Sequence, residues 1–333
     1  MKFAKSADSF RVEELMHPNL LGGNYFYYIL EKHGIDSASA IKALEKQNKA
    51  RIHYSGLKDA NAATSQWICS LKELKETDDK RVQLTYAGNG ENRIHVGMHS
   101  ANRFIAKLSD LTLEEKKFLK KGLHKITLPN YFDEQRFNEK TLRLGSALRS
   151  GQFEMALKTA LTEKLGMESE KSHKIKAEIK EKWGKWDELI KSETIPRSKK
   201  AIFEHLQKGA NFRQAIELLE KKTVAIACRA IQSLEFNTEL SAQISKHKNS
   251  PQKSIQIANS TYPIEFRKRA VKRQIEISEV YPSKVKLVRK TFFELKKPIV
   301  KFSGNDCTLE FFLKKGSYGT ITIKCIIALC ENK

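Results

Sequence analysis

No stretch of the 333-residue chain approaches the ~18 apolar residues that a bilayer-spanning helix needs. No apolar run follows the charged opening Met1-Lys2-Phe3-Ala4-Lys5-Ser6, so no secretory signal is expected. Cysteine is scarce: Cys69, Cys228, Cys307, Cys325 and Cys330 are odd in number and form no Cys-x-x-Cys pair. That usage speaks against a disulfide framework and against a zinc site, and it points to a reducing cytoplasm. No internal repeat is visible. Acid is also in short supply, with 39 Asp and Glu against 61 Lys and Arg, a net charge of +22. Such an excess implies a polyanionic partner, nucleic acid first and an anionic membrane surface second, unless the lysines merely cover a solvated surface. What the chain does have is a 40% hydrophobic content, which excludes full-length disorder. Its length suits two domains of the usual ~100–200 residues.

Hydrophobic periodicity divides the chain into sheet-rich ends and a helical middle. Phe10-Arg11-Val12-Glu13, Tyr25 to Leu30, Ile52 to Ser55, Thr64 to Cys69, Ile94-His95-Val96 and Arg103 to Leu108 read as strands. A helix from Ser37 to Lys46 takes a Ser cap. Helices are expected from Leu111 to about Lys125, from Leu142 to Leu165 and across Lys171 to Leu189. Others are expected over Lys199–Gln207, Phe212–Glu220 and Thr223–Ile244. A polar junction from Lys246 to Pro251 is followed by short strands with a basic run from Arg267 to Arg273. Leu309 to Leu313 and Ile321-Thr322-Ile323 close the chain as strands. Sheet sequence at both ends suggests an α+β protein whose middle is inserted.

One local segment stands out. Tyr54-Ser55-Gly56-Leu57-Lys58-Asp59 runs from a strand into a turn that carries a carboxylate beside a lysine. A carboxylate on a strand end can be held rigidly while staying open to a substrate, and nearby cations would keep it ionised. Read alone, the same residues are ordinary turn chemistry. The wider pattern changes this. Gly56-Leu57-Lys58-Asp59, with Thr64 and Gln66 after it, resembles the G-x-K-D…T-x-Q signature of the TruD family of tRNA pseudouridine synthases. Asn130-Tyr131-Phe132-Asp133-Glu134-Gln135-Arg136-Phe137-Asn138 is similar to that family's N-Y-F-G-x-Q-R-F-G. Gln232-Ser233-Leu234-Glu235-Phe236-Asn237 is similar to its Q-S-x-x-F-N helix, and Phe312 to Thr320 to its closing F-x-L-P-x-G-S-[YF]-A-T. Asn102-Arg103-Phe104 fits its G-N-x-F strand and Phe10 to Glu13 its opening D-F-x-V-x-E. Six matches in family order run from about residue 5 to residue 325. Asp133 and Asn138 stand where the family has glycine, and both types tolerate positive φ. Ala101, Lys315, Ser9, Ala60 and Asn61 also depart from the pattern, which makes this a divergent member.

The resemblance implies an α+β pseudouridine synthase fold, with a mixed, largely antiparallel sheet, flanking helices and a mostly helical insert. Residues 1–140 and 296–333 would form the catalytic domain and 141–295 the insert, shortened in its second half. It implies Asp59 as catalytic aspartate and Lys5 as its cation, with Lys58 and Lys32 as alternatives. Phe10, Asn102, Phe104 and Tyr318 would contact the substrate, the rings by stacking and Asn102 by a hydrogen bond to the uracil edge. Core packing is the competing role for Phe10 and Phe104. Asn130, Phe132, Gln135 and Arg136, with Lys58, would shape the cleft, while Gln232 and Asn237 would brace the fold. No metal or cofactor is expected, since the base is only detached and rejoined. The His95-x-x-x-His99 pair is interrupted by Gly97 and is not read as a metal site. The partner implied is tRNA, with uridine 13 as the target, and no protein partner is implied. A catalytically inactive RNA-binding protein on the same fold is the alternative. A basic membrane-binding protein is disfavoured by the glutamates of the 171–189 segment.

Overall fold

The computed structural model describes residues 1–75, 77, 79–123, 125–163, 169–246 and 253–331. The chain folds as two compact units, one of Met1–Asn130 with Phe292–Lys333 and one of Tyr131–Thr291. In chain order the first unit begins β1 (Phe10–Leu15), β2 (Tyr25–Lys32), α1 (Ser37–Asn48), β3 (His53–Tyr54), β4 (Ala63–Ser70), β5 (Val82–Gly90), β6 (Ala101–Leu108), α2 (Leu113–Gly122) and β7 (Lys125–Pro129). The second unit holds α3 (Glu139–Arg149), α4 (Phe153–Thr162), α5 (Glu170–Glu181), α6 (Trp186–Lys191), α7 (Arg197–Gln207), α8 (Phe212–Ile216), α9 (Lys221–Ser245) and the strands β8 (Ser254–Ile257), β9 (Ser260–Pro263), β10 (Gln274–Ile277) and β11 (Leu287–Lys290). The first unit is completed by β12 (Phe292–Lys296), β13 (Ile299–Ser303), β14 (Asp306–Lys314) and α10 (Gly319–Cys330).

An eight-stranded sheet in the order β13-β14-β6-β1-β4-β2-β5, with β3 also on β4, organises the first unit. Only β1 and β4 run parallel; the other pairings are antiparallel. The protein is therefore α+β with a mixed, largely antiparallel sheet. Alternation along β1 explains both faces of the sheet. Arg11 and Glu13 point outward into a lattice of ion pairs, Glu31–Arg11–Glu13–Arg103–Glu310, that crosses β2, β1, β6 and β14 at 2.7–2.9 Å. Phe10, Val12 and Glu14 point to the buried face. Cross-strand register sets Lys32 beside Thr64, Thr64 beside Val12, Val12 beside Phe104 and Phe104 beside Phe311 in one row. Glu14 and Asn102 face each other one row along. Ala40, Ile41 and Leu44 of α1 cover the Tyr28, Leu30 and Ile68 part of this face. Gly319 of α10 lies against the Phe104 ring, where an added Cβ would come within 2.4 Å of it.

Several elements differ from the sequence reading. Ile321-Thr322-Ile323 is helical, not a strand. All three consecutive residues are buried, which a half-buried strand cannot achieve and a helix packed on several sides can. Here packing overrides the β preference of β-branched residues. Residues 94–96 form no strand, while β5, which carries Tyr86 on its exposed side, went unread. The α1 cap is Asp36, whose side chain accepts from the Ser39 N–H. Left-handed glycines, Gly151 at φ 72° and Gly184 at φ 91°, split two of the expected middle helices into α3 with α4 and α5 with α6. Leu165 and residues 247–251 of the expected junction lie outside the described residues.

The second unit is built on a helical core in which Leu144, Leu157, Ile179, Phe203 and Ala227 are fully or almost fully buried. Gly145 of α3 sits against the Ala227 carbonyl of α9. Two small hairpins, β8–β9 and β10–β11, complete the unit.

Candidate active site

The strip of the sheet's buried face that carries Lys32, Gln66, Glu14 and Asn102 is covered by the segment from Ser55 to Asp59. Polar side chains fix that segment atom by atom. Gln66 Nε2 donates to the Gly56 carbonyl at 3.2 Å. Ser37 Oγ donates to Gln66 Oε1 at 2.5 Å and accepts from the Lys58 N–H at 2.9 Å. Lys32, with no exposed surface, donates to the Asp59 carbonyl at 2.6 Å and the Ile35 carbonyl at 2.7 Å. Burial pushes the Lys32 ammonium down to about 8, against the raising pull of Asp59 and Asp36. Ser55 Oγ meets His99 Nδ1 at 2.5 Å and accepts from the His99 N–H at 2.9 Å. Burial, then the Lys58 and Lys315 charges, lowers His99 to about 4. A buried polar network of this kind is costly unless satisfied, and satisfied it fixes one loop conformation.

This frame presents the Asp59 carboxylate, whose side chain is 28% exposed, in an ion pair with the Lys5 ammonium. Burial alone would raise the Asp59 carboxyl. The hydrogen bond and charge of Lys5, with the Asn61 and Ala60 N–H groups, outweigh it and hold the carboxyl below the usual aspartate range. Lys58 serves a different acid: its Nζ lies 2.8 Å from Glu14 Oε2 and donates to Asn102 Oδ1 at 3.0 Å. The three candidate lysines thus have separate acceptors, with Lys5 on the carboxylate, Lys32 on the backbone and Lys58 on Glu14 and Asn102.

Phe10 and Phe104 are buried and nearly parallel, their ring centroids 6.0 Å apart. Phe311 lies 5.3 Å from Phe104, again near parallel, and Phe3 meets Phe10 edge-on at 5.6 Å. The Lys5 ammonium lies 5.9 Å from the Phe10 ring centre, which joins the aromatic row to the ion pair. Tyr318, partly exposed, caps α10 directly before Gly319, the residue that lies against the Phe104 ring. Lys315, where the resemblance expects proline, donates to the Gly97 carbonyl at 2.8 Å.

Asn130 directly follows β7 and is buried in the first unit. Phe132, Gln135 and Arg136 belong to the second. There the Asn237 side chain accepts from the Phe132 N–H at 2.8 Å and donates to its carbonyl at 3.0 Å. The Arg289 guanidinium lies 4.0 Å over the Phe132 ring. Gln232 donates to the Ser278 and Val285 carbonyls, so both Gln232 and Asn237 brace backbone. Gln135 and Arg136 are exposed on a short 3-10 turn. Of the basic segments, α5 and its flank offset lysine with glutamate in the pairs Lys174–Glu170, Lys182–Glu178 and Lys185–Glu188. Arg267, Lys268, Arg269, Lys272 and Arg273 are exposed.

Glu14 and Ser37 escaped the sequence reading as site residues. Glu14 had a signal: strand alternation sets it on the apolar face with Phe10 and Val12. Ser37 has the sequence signature of a helix cap, a task Asp36 performs, which leaves the Ser37 hydroxyl to Gln66 and Lys58.

The family described as tRNA pseudouridine synthase D (TruD) matches residues 1–282. Among similar curated proteins, the probable tRNA pseudouridine synthase D 1 of Methanococcus maripaludis is 28% identical over 253 residues, 71% of this chain and 64% of the relative. The probable tRNA pseudouridine synthase D of Nanoarchaeum equitans is 31% identical over 233 residues, 67% of this chain and 60% of the relative. The chain thus spans somewhat under two thirds of the length of these relatives. Among solved structures, the putative tRNA pseudouridine synthase D of Methanosarcina mazei superposes with a TM-score of 0.57 at 19% identity, covering 98% of this chain and 94% of that one. That likeness carries the fold.

Proposed function

This chain belongs to the TruD family of tRNA pseudouridine synthases, and on that footing we propose that it isomerises a uridine of tRNA, uridine 13, to pseudouridine with Asp59 as the catalytic aspartate. The observation that carries the reading is the Asp59–Lys5 pair: an ionised, partly exposed carboxylate on a loop whose backbone is pinned by Lys32, Ser37 and Gln66. The reaction breaks the bond between N1 and C1′, turns the uracil and forms a bond between C5 and C1′; the C5 proton is lost and N1 gains one. The base must first leave its stack. A rigid carboxylate beside the ribose can attack C1′, stabilise charge developing there, or take the C2′ proton. Lys5 keeps that carboxylate ionised.

Asn102 supplies the hydrogen bond to the uracil edge. Tyr318, the most exposed of the three aromatic candidates, stacks on the extruded base, and Phe10 with Phe104 forms the apolar wall beside it. Asn130, Phe132, Gln135 and Arg136 keep the supporting role the resemblance implies. The exposed run from Arg267 to Arg273 meets RNA phosphates. Five free cysteines, all buried, support a reducing cytoplasm as the site of action. Incubating the protein with an unmodified tRNA transcript and mapping pseudouridine base by base tests the reading. One new pseudouridine at position 13 is expected; a transcript left unmodified would remove the enzymatic assignment.

A further inference from the structure

A buried sheet face is a costly place for a carboxylate, yet Glu14 sits on one with its side chain fully buried. Neither of its oxygens makes a hydrogen bond of good geometry, and its partner is the Lys58 ammonium 2.8 Å from Oε2. Burial pushes the Glu14 carboxyl up and Lys58 pulls it back. Lys58 is itself 8% exposed and reaches Asn102 Oδ1 at 3.0 Å. An ammonium has three donors and no acceptor, so only the oxygen of the amide can face it. The orientation of Asn102, normally a matter of assignment, is thereby fixed by chemistry. Asn102 Nδ2 has no hydrogen-bond partner among the described residues, and the residue keeps 9% exposure. Glu14 and Asn102 are directly opposed across β1 and β6, and Lys58 is bonded to Asp59 in sequence, so the three residues tie the base-reading amide to the catalytic turn.

We infer that Glu14 and Lys58 are positioning residues that hold the Asn102 amide oxygen inward, so that Asn102 presents N–H donors to a carbonyl oxygen of the target base. This rests on the reading of the site given above. Uracil carries an oxygen at C4 where cytosine carries an amino group, so a fixed donor accepts the first and opposes the second. Retaining a buried acid and base makes sense if they specify this orientation, since a buried ion pair is weak support for stability.

Two measurements test the inference. In protein labelled with 15N at asparagine, the Asn102 side-chain amide is identified by its loss in Asn102→Ala. Its signal moves in Lys58→Met and in Glu14→Gln; an unmoved signal in both overturns the positioning role, whether or not the protein acts on RNA. On a tRNA transcript whose converted uridine has been mapped, Glu14→Gln lowers kcat about tenfold or more with KM within about threefold, and has no further effect in an Asn102→Ala background. Additive losses overturn the inference. The paired exchange Glu14→Met with Lys58→Met leaves no orphaned charge, so the fold is kept; kcat stays low in it. Recovery of kcat would make the pair a structural brace and overturn the proposal. Asn102→Asp still accepts from Lys58 but offers the base an acceptor. Its binding preference for the transcript with uridine over cytidine at that site disappears, and a preserved preference contradicts a donor at Asn102. Failure of the wild type to form any pseudouridine would sink the enzymatic reading and leave the positioning to be decided by the amide signal.

Discussion

Lys5, Lys32 and Lys58 crowd around one turn yet share no acceptor, and Lys5 alone of the three pairs with the Asp59 carboxylate and lowers its pKa. Replacing Lys5 by Met removes the cation and leaves the desolvation, which favours the protonated acid. The acid limb of the rate profile of Lys5→Met therefore shifts to higher pH, by about one unit or more. A profile superimposable on the wild type would separate Lys5 from the carboxylate. His99 works in the opposite sense. It is buried, and its folded value of about 4 lies below the ordinary 6.5. The unfolded chain binds a proton between those values that the folded chain refuses, so stability is full above about 6.5 and is lost as pH falls toward 4, by up to ~3 kcal/mol. His99→Gln flattens this slope in denaturant titrations; parallel curves for variant and wild type would show that another group drives the acid loss.

At the scale of elements, the close approach of α3 to α9 rests on one glycine. A Cβ at Gly145 would come within 2.5 Å of the Ala227 carbonyl, so Gly145→Ala forces α3 and α9 apart. A loss of about 1–3 kcal/mol is expected, read as a fall in melting temperature of several degrees. An unchanged melting temperature would mean that the helix pair gives way freely. The same scale shows what was legible in the sequence. β1, β2, β4, β6 and α9 could be read because their periodicity and their packing agree. α10 could not, because Ile321 to Ile323 prefer strands and are overruled by burial on all sides. The Gly56–Asp59 turn was legible as a motif. The polar strip beneath it was not, since Lys32, Glu14 and Ser37 lie 27, 45 and 22 residues from Asp59, and it takes the β1–β4–β2 pairings and the start of α1 to bring them together.

For the whole molecule, the proposed reading assigns the excess of positive charge to holding RNA. The net +22 is not distributed evenly: Lys174, Lys182 and the outer sheet face's Arg11 and Arg103 pair with glutamate, and Arg267, Lys268, Arg269, Lys272 and Arg273 form an exposed basic run. Binding to tRNA should weaken steeply with salt, and replacing Arg269 and Arg273 by Gln should reduce the log–log slope by about one for each phosphate no longer neutralised. A slope unchanged in that double variant would place the phosphate-binding surface elsewhere. Everything chemical, however, converges on one carboxylate. The most direct measurement is single-turnover pseudouridine formation in tRNA by the wild type and by Asp59→Asn, with melting temperatures taken alongside. The expected result is a loss of about a thousandfold or more in the variant at a closely similar melting temperature. Equal pseudouridine from both proteins would contradict the assignment of Asp59.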